Sequence, residues 1–174
     1  MLQLIELTKE WEEAFLDYQK AWGNELFIPD SARLIQHNFD EWLEENEAMK
    51  EEFFAHGRQL VTAHTYFLVD TEKKYIIGAI NLRHELNQYL YQFGGHIGYG
   101  IRPEERGKGY CSKMLEMALP IFKETTKDTD YALITCNKGN EASAKAIIKC
   151  GGVLENELYN EDEKCTVLRY KISL

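Results

Sequence analysis

Two cations, two glycines and a cysteine meet within Arg106-Gly107-Lys108-Gly109-Tyr110-Cys111, a composition suited to holding a polyphosphate. Glycine lets backbone approach phosphate oxygens with no Cβ in the way. Arg106 and Lys108 add charge-assisted hydrogen bonds. The segment follows a strand-like run and opens a helical pattern carrying Met114, Leu115, Ala118, Leu119 and Phe122. At a helix start the first N–H groups lack intrahelical partners and the macrodipole is positive, so the N–H groups of Gly107, Gly109, Tyr110 and Cys111 can converge on a diphosphate. By itself the turn reads equally well as a solvated bend, since glycines commonly serve turn geometry. Neither G-x-x-x-x-G-K-[ST] nor G-x-G-x-x-G is present, so a P-loop nucleotide and a Rossmann dinucleotide are set aside.

Proton-transfer chemistry has its candidates nearby. His96 stands at the start of the strand-like run, and an imidazole with a pKa near ~6.5 accepts protons at neutral pH. Beside Gly94-Gly95 it can equally satisfy a strand-end hydrogen bond. Arg83-His84-Glu85 ends the preceding strand, where an antiparallel neighbour brings it towards His96. Tyr99 and Tyr110 supply hydroxyls. Cys111 has no evident His partner, and a covalent cysteine mechanism is set aside. The four cysteines, Cys111, Cys136, Cys150 and Cys165, form no C-x-x-C pair; neither a metal site nor a disulfide framework is expected.

These residues need elements to hold them. Leu2–Leu7 reads as a strand, and Thr8 as the N-cap of a helix carrying Trp11, Phe15, Tyr18 and Trp22. Pro29-Asp30-Ser31 starts a second helical region, with apolar residues at helical spacing between Ser31 and His56 and acids such as Asp40, Glu41 and Glu44 on a solvated face. Thr65–Val69 and Tyr75–Leu82 flank the turn Asp70–Lys74 as a hairpin, and His96–Ile101 is the strand before Arg102-Pro103. Tyr131–Cys136 is the next strand, Asn140–Cys150 a helix stopped by Gly151-Gly152, and Val153–Tyr159 and Cys165–Ser173 an antiparallel closing pair. The element order is β-α-α-β-β-β-α-β-α-β-β, in one domain over residues 1–174.

Composition bounds the partners. Lys plus Arg number 20 against 29 Asp plus Glu, a formal charge of -9, which repels a nucleic-acid backbone. No apolar run reaches the ~20 residues that span a bilayer. A soluble cytoplasmic protein is expected, without nucleic-acid or membrane partner, and a homodimer is left open.

With these motifs in view, Gly95 to Tyr110 resembles the signature strand, loop and helix start of GNAT acetyltransferases, whose pattern is [QR]-x-x-G-x-[GA]. Arg106, Gly109 and Cys111 stand at its fixed positions, cysteine replacing the usual Gly or Ala. Asn137-Lys138-Gly139-Asn140-Glu141-Ala142-Ser143 resembles the family's N-x-x-N-x-x-S. The specific likeness is confined to about residues 95–152. It implies a mixed α/β fold (α+β), mostly antiparallel and flanked by helices, in which the strand with Tyr99 and Ile101 splays from the strand ending at Cys136 to admit acetyl-coenzyme A. By this resemblance Tyr99, Ile101, Arg106, Gly107, Lys108, Gly109, Tyr110, Cys111, Asn140 and Ser143 contact the coenzyme, and Ile101 contacts pantetheine through its backbone. His96 stands near the place of the family's general base, with Arg83, His84 and Glu85 on the acceptor side. The family's helix tyrosine corresponds to Ile147, so the thiolate proton falls to Tyr110, Tyr99 or water. The implied activity is acetyl transfer to a primary amine of a small molecule or peptide. A non-catalytic acyl-CoA-binding module is the alternative.

Overall fold

A computed structural model describes every residue except 36–37, 52, 56–57 and 127–128, with residues 53–55, 58 and 59 described by backbone alone. Strand β1 (Leu2–Ile5) leads through a 3-10 turn, Lys9–Trp11, into helix α1 (Glu12–Ala21). Thr8 makes no side-chain cap; its carbonyl accepts the Trp11 N–H at 2.9 Å. Helix α2 is confined to Phe39–Ala48, so the expected helical region from Ser31 to His56 is too long at both ends. Asn38 Oδ1 accepts the Glu41 N–H at 3.0 Å and the Glu41 carboxylate accepts the Asn38 N–H at 3.2 Å. That reciprocal cap starts the helix well after Ser31. Past Ala48, Phe53–Ala55 (β2) pairs with Arg58–Leu60 (β3), aromatic residues favouring extended backbone. His56 lies outside the described residues.

Strands β4 (Ala63–Asp70), β5 (Tyr75–Arg83) and β6 (Ile97–Ile101) join β1 in an antiparallel sheet of order β1-β4-β5-β6. The chain continues through α3 (Tyr110–Thr125), β7 (Tyr131–Asn137), α4 (Glu141–Lys149), β8 (Val153–Asn160) and β9 (Cys165–Ser173). The last three strands form a second antiparallel sheet of order β7-β9-β8. This is the expected mixed architecture, with β6 and β7 at the facing edges of two separate sheets.

Alternation along the strands assigns each sheet face to a core. Leu68, Ile80, Leu82, Ile97 and Ile101 pack with Met114, Leu115 and Phe122 of α3. Phe67, Val69, Ile76 and Ala79 face the other way, onto Phe15 and Tyr18 of α1 and Phe39 and Trp42 of α2. The Phe15 ring lies 4.5 Å from Trp42 and 4.9 Å from Phe39. Burying each such ring contributes roughly 1.5–3 kcal/mol, which anchors α1 and the segment after it on the sheet. No described helix is long and apolar enough to cross a membrane.

Candidate active site

The glycine turn enters α3 as its composition requires. Gly109 is the N-cap residue and has φ +83°, a left-handed conformation costly for residues with a Cβ. No side chain caps the helix. The Lys113 N–H bonds to Gly109 O at 3.2 Å, so the N–H groups of Tyr110, Cys111 and Ser112 point out of the helix end without an upstream partner. Arg106 is braced over this end: Nε donates to Ile101 O at 3.1 Å, Nη1 meets Glu25 Oε2 at 2.6 Å, and the guanidinium lies 5.3 Å from the Trp22 ring. Lys108 Nζ is held by Glu105 at 2.9 Å.

From this turn a cleft of about 770 Å³ runs along β6 to the start of α4. Tyr99 and Ile101 line it from β6, and Arg106, Gly107, Gly109, Tyr110 and Cys111 from the turn and α3. Asn140 and Ser143 line it from α4. Asn140 caps α4, its Oδ1 accepting the Ser143 N–H at 3.2 Å. Nine of the ten residues expected to hold a coenzyme thus share one cavity; Lys108, turned towards Glu105, is outside its lining.

Inside the cleft Tyr99 Oη and Ser143 Oγ are 2.7 Å apart, a hydroxyl pair bridging β6 and α4. Burial raises the Tyr99 pKa well above that of a free phenol, so it stays protonated at any working pH. Burial also pushes the Cys111 thiol up to about 11. A neutral thiol is a poor nucleophile.

One wall comes from residues that sequence reasoning missed. Trp22, Glu25, Leu26 and Ile28, between α1 and α2, lie along the cleft. Gly100 permits this approach, since a Cβ there would strike the Ile28 carbonyl oxygen and the Trp22 ring. Glycine in a strand signals a close backbone neighbour, but nothing local says which segment arrives.

The remaining candidates are not brought to the cleft. His84, Glu85 and His96 line a second groove of about 620 Å³ with Thr126, Thr129, Asp130 and Tyr131. His84 is engaged on both ring nitrogens, Nε2 with His64 Nδ1 at 2.6 Å and Nδ1 with Thr62 Oγ1 at 2.8 Å. Burial, then the neighbouring His64, lowers its pKa. His96 is 5% exposed; its Nδ1 accepts the Leu133 N–H at 2.9 Å, and burial, then Arg83, lowers its pKa to about 4. His96, expected as a general base with His84-Glu85 beside it, thus has both of them in the same groove but does not line the cleft. Its lone pair is already used, and the three share a groove apart from the cleft. Arg83 Nη1 donates to Gly94 O at 3.1 Å and Gly95 O at 2.9 Å, and the guanidinium lies beside Gly98 of β6. Among the described residues no group of His, Cys, Asp and Glu side chains could hold a metal ion.

Two sheets parted at an edge thus enclose a cleft with a bare helix start at its mouth. Residues 10–153 match the acetyltransferase (GNAT) domain family; the chain belongs to that family and is an N-acetyltransferase by class. Comparison with curated protein sequences gives no match. Among solved structures, the chain resembles ribosomal-protein-S5-alanine acetyltransferase from Vibrio fischeri, at 19% identity and TM-score 0.69 over 99% of this chain and 92% of that one. A chimaera of Vibrio cholerae spermidine N-acetyltransferase is 21% identical, at TM-score 0.65 over 99% and 95% of the two chains. A GNAT-family acetyltransferase from Streptococcus pneumoniae is 14% identical, at TM-score 0.63 over 100% and 99%. At these identities the likeness is one of fold.

Proposed function

We propose that the protein transfers the acetyl group of acetyl-coenzyme A to a primary amine of a small molecule or peptide, by direct attack within a ternary complex. The observation that carries this reading is the cleft itself, which joins a bare helix start to a half-buried hydroxyl pair. The residues present fit the coenzyme. The free N–H groups at Tyr110, Cys111 and Ser112, with Arg106 above them, suit a diphosphate, and the groove past Ile101 and Asn140 suits an extended arm. When bound, the coenzyme supplies a thioester-activated acetyl group.

The chain's own residues then have distinct tasks. Arg106 and the Gly109 turn hold the phosphate end. Ile101 offers its backbone to the arm, and Asn140 keeps the α4 helix start in place. A departing thiolate is a good leaving group and needs only one proton; Tyr99 Oη, or Ser143 Oγ recharged by it, is the donor we assign. Tyr110, at the first residue of α3, borders the phosphate end, which favours the Tyr99–Ser143 pair over it. On the acceptor side, Trp22, Leu26 and Ile28 form a wall. Of the three residues expected to meet the acceptor, Arg83 alone lies against β6, beside Gly98.

The test is a panel of amines, including polyamines, amino acids and peptides with free N-termini, incubated with acetyl-coenzyme A and followed by mass shift. Turnover on any class supports the reading and names the acceptor. Tight coenzyme binding without turnover would instead identify an acyl-CoA-binding module.

A further inference from the structure

Strands β6 and β7 share no ladder, yet the lead-in to β6 is tied to β7, where Thr135 Oγ1 donates to Phe93 O at 2.7 Å and Leu133 is held twice by His96. The His96 N–H donates to Leu133 O at 2.7 Å, while the Leu133 N–H donates to His96 Nδ1 at 2.9 Å. Both polar backbone groups of Leu133 facing β6 are thereby satisfied by a single residue, one through its main chain and one through its ring. A regular ladder is ruled out because the His96 carbonyl is committed to the other side, where it accepts the Arg83 N–H of β5 at 2.8 Å. The ring supplies the acceptor that the main chain cannot.

The surroundings are built for this arrangement. Gly95 has φ +68°, and a Cβ on it would stand 2.6 Å from Leu133 O; only glycine lets the lead-in come this close. The imidazole packs 5.2 Å from the Phe122 ring of α3 and 6.2 Å from that of Tyr131, so its orientation is fixed. Accepting an N–H at Nδ1 requires the neutral ring with its proton on Nε2. Beyond Ile97 the strand pairs with β5 alone, and the cleft opens along it.

We propose that His96 is a positioning residue, the clasp that joins the two sheets at the closed end of their parting and so sets the width of the slot for the coenzyme arm. The inference rests on the coenzyme reading of the cleft. A base role and a clasp role compete for the same lone pair, so they predict opposite kinetics.

The test compares His96→Asn, whose side-chain oxygen can still accept the Leu133 N–H, with His96→Leu, which cannot. Coenzyme A affinity is read by calorimetry and kcat and KM by mass detection. His96→Leu should weaken coenzyme binding and raise KM by about 10-fold or more, since small misplacements in a preorganised site are costly. His96→Asn should return both to within about 3-fold of the parent, although asparagine is no base. A loss of kcat of about 10²–10⁴-fold in both variants, with affinity unchanged, would overturn the clasp in favour of a base. Should His96→Leu fail to fold, amide exchange at Leu133 in the parent chain decides. Protection matching its β9-paired neighbours supports the clasp, and rapid exchange refutes it. A parent chain that does not bind coenzyme A would sink the reading of the cleft, while the Leu133 amide would still judge the clasp.

Discussion

The two cavities beside β6 are similar in size and opposite in character. The second groove has more of what usually marks chemistry, with His84, Glu85, His96 and Asp130 around it. The cleft has no imidazole in its lining; around Glu25, Glu105, Arg106, Lys145 and Lys149 it has a bare helix start, a left-handed glycine and a hydroxyl pair. In the groove each imidazole is already engaged, His84 with His64 and Thr62, His96 with Leu133. In the cleft the backbone donors are left over. A candidate site is thus better recognised by unspent hydrogen-bonding capacity than by the imidazoles it collects.

Breaking the cleft should therefore cost far more than breaking the groove. Tyr99→Phe removes the hydroxyl and little volume; kcat should fall by about 10²-fold, the lower end for a proton-transfer group, with coenzyme affinity nearly unchanged by calorimetry. Equal kcat in the variant would mean that water protonates the thiolate. Next in size, Gly109→Val forces a branched side chain into the left-handed region, a strain of about 1–3 kcal/mol, and should weaken coenzyme A binding by roughly 10–100-fold. Unchanged affinity would remove the phosphates from this turn.

Acid titration sharpens the contrast from the side of the groove. Burial and Arg83 depress the His96 pKa from 6.5 to about 4, so between those values the unfolded chain binds more protons than the folded one. The contribution of neutral His96 is whole above pH ~6.5 and is lost as pH falls through ~4, a total of about 3 kcal/mol. His64 and His84, lowered by burial, act in the same direction. Denaturant midpoints for the parent and His96→Asn should converge as pH drops across this window; parallel curves would show that His96 does not contribute. Smallest of all, His84→Ala should leave kcat/KM within about 2-fold, because His84 lines the groove and not the cleft. A loss of more than 10-fold would bring the groove back into the reaction.

The cleft was legible where its demands are local. A helix start needing a left-handed glycine and a strand-to-helix turn needing Asn140 as cap are written within a few residues of the positions they serve. Other features depend on distant partners. The Tyr99 hydroxyl meets Ser143 across 44 residues, and the ring of His96 meets the Leu133 amide across 37. An imidazole near the place of the family's base reads as a base in sequence, whereas its bond to the Leu133 amide, the basis of the proposed clasp, becomes visible only in the fold. The wall from Trp22 to Ile28 reaches the site only because Gly100 leaves room for it, and the identity of the arriving segment is a property of the packed aromatic core. The early end of α2 was a misreading of a local signal. Asn38 and Glu41 form a capping pair three residues apart that the run of acids around them obscured.

Arg106 already holds an anion, the carboxylate of Glu25 at 2.6 Å. Both partners are about half exposed, at 45% and 52%, so the pair is solvent-screened and worth about 0–1 kcal/mol. On the proposed coenzyme reading, a diphosphate arriving at the turn does not meet a naked cation; it would enter an exchange, releasing one carboxylate as it engages the guanidinium. Such an exchange is easy to drive, but it subtracts from whatever Arg106 adds to binding. Added electrolyte weakens both of its sides, with a screening length of about 8 Å at physiological ionic strength. The dissociation constant of the coenzyme is then a difference between two anions contending for one guanidinium, and its salt slope is shallower than a count of phosphate-facing cations implies.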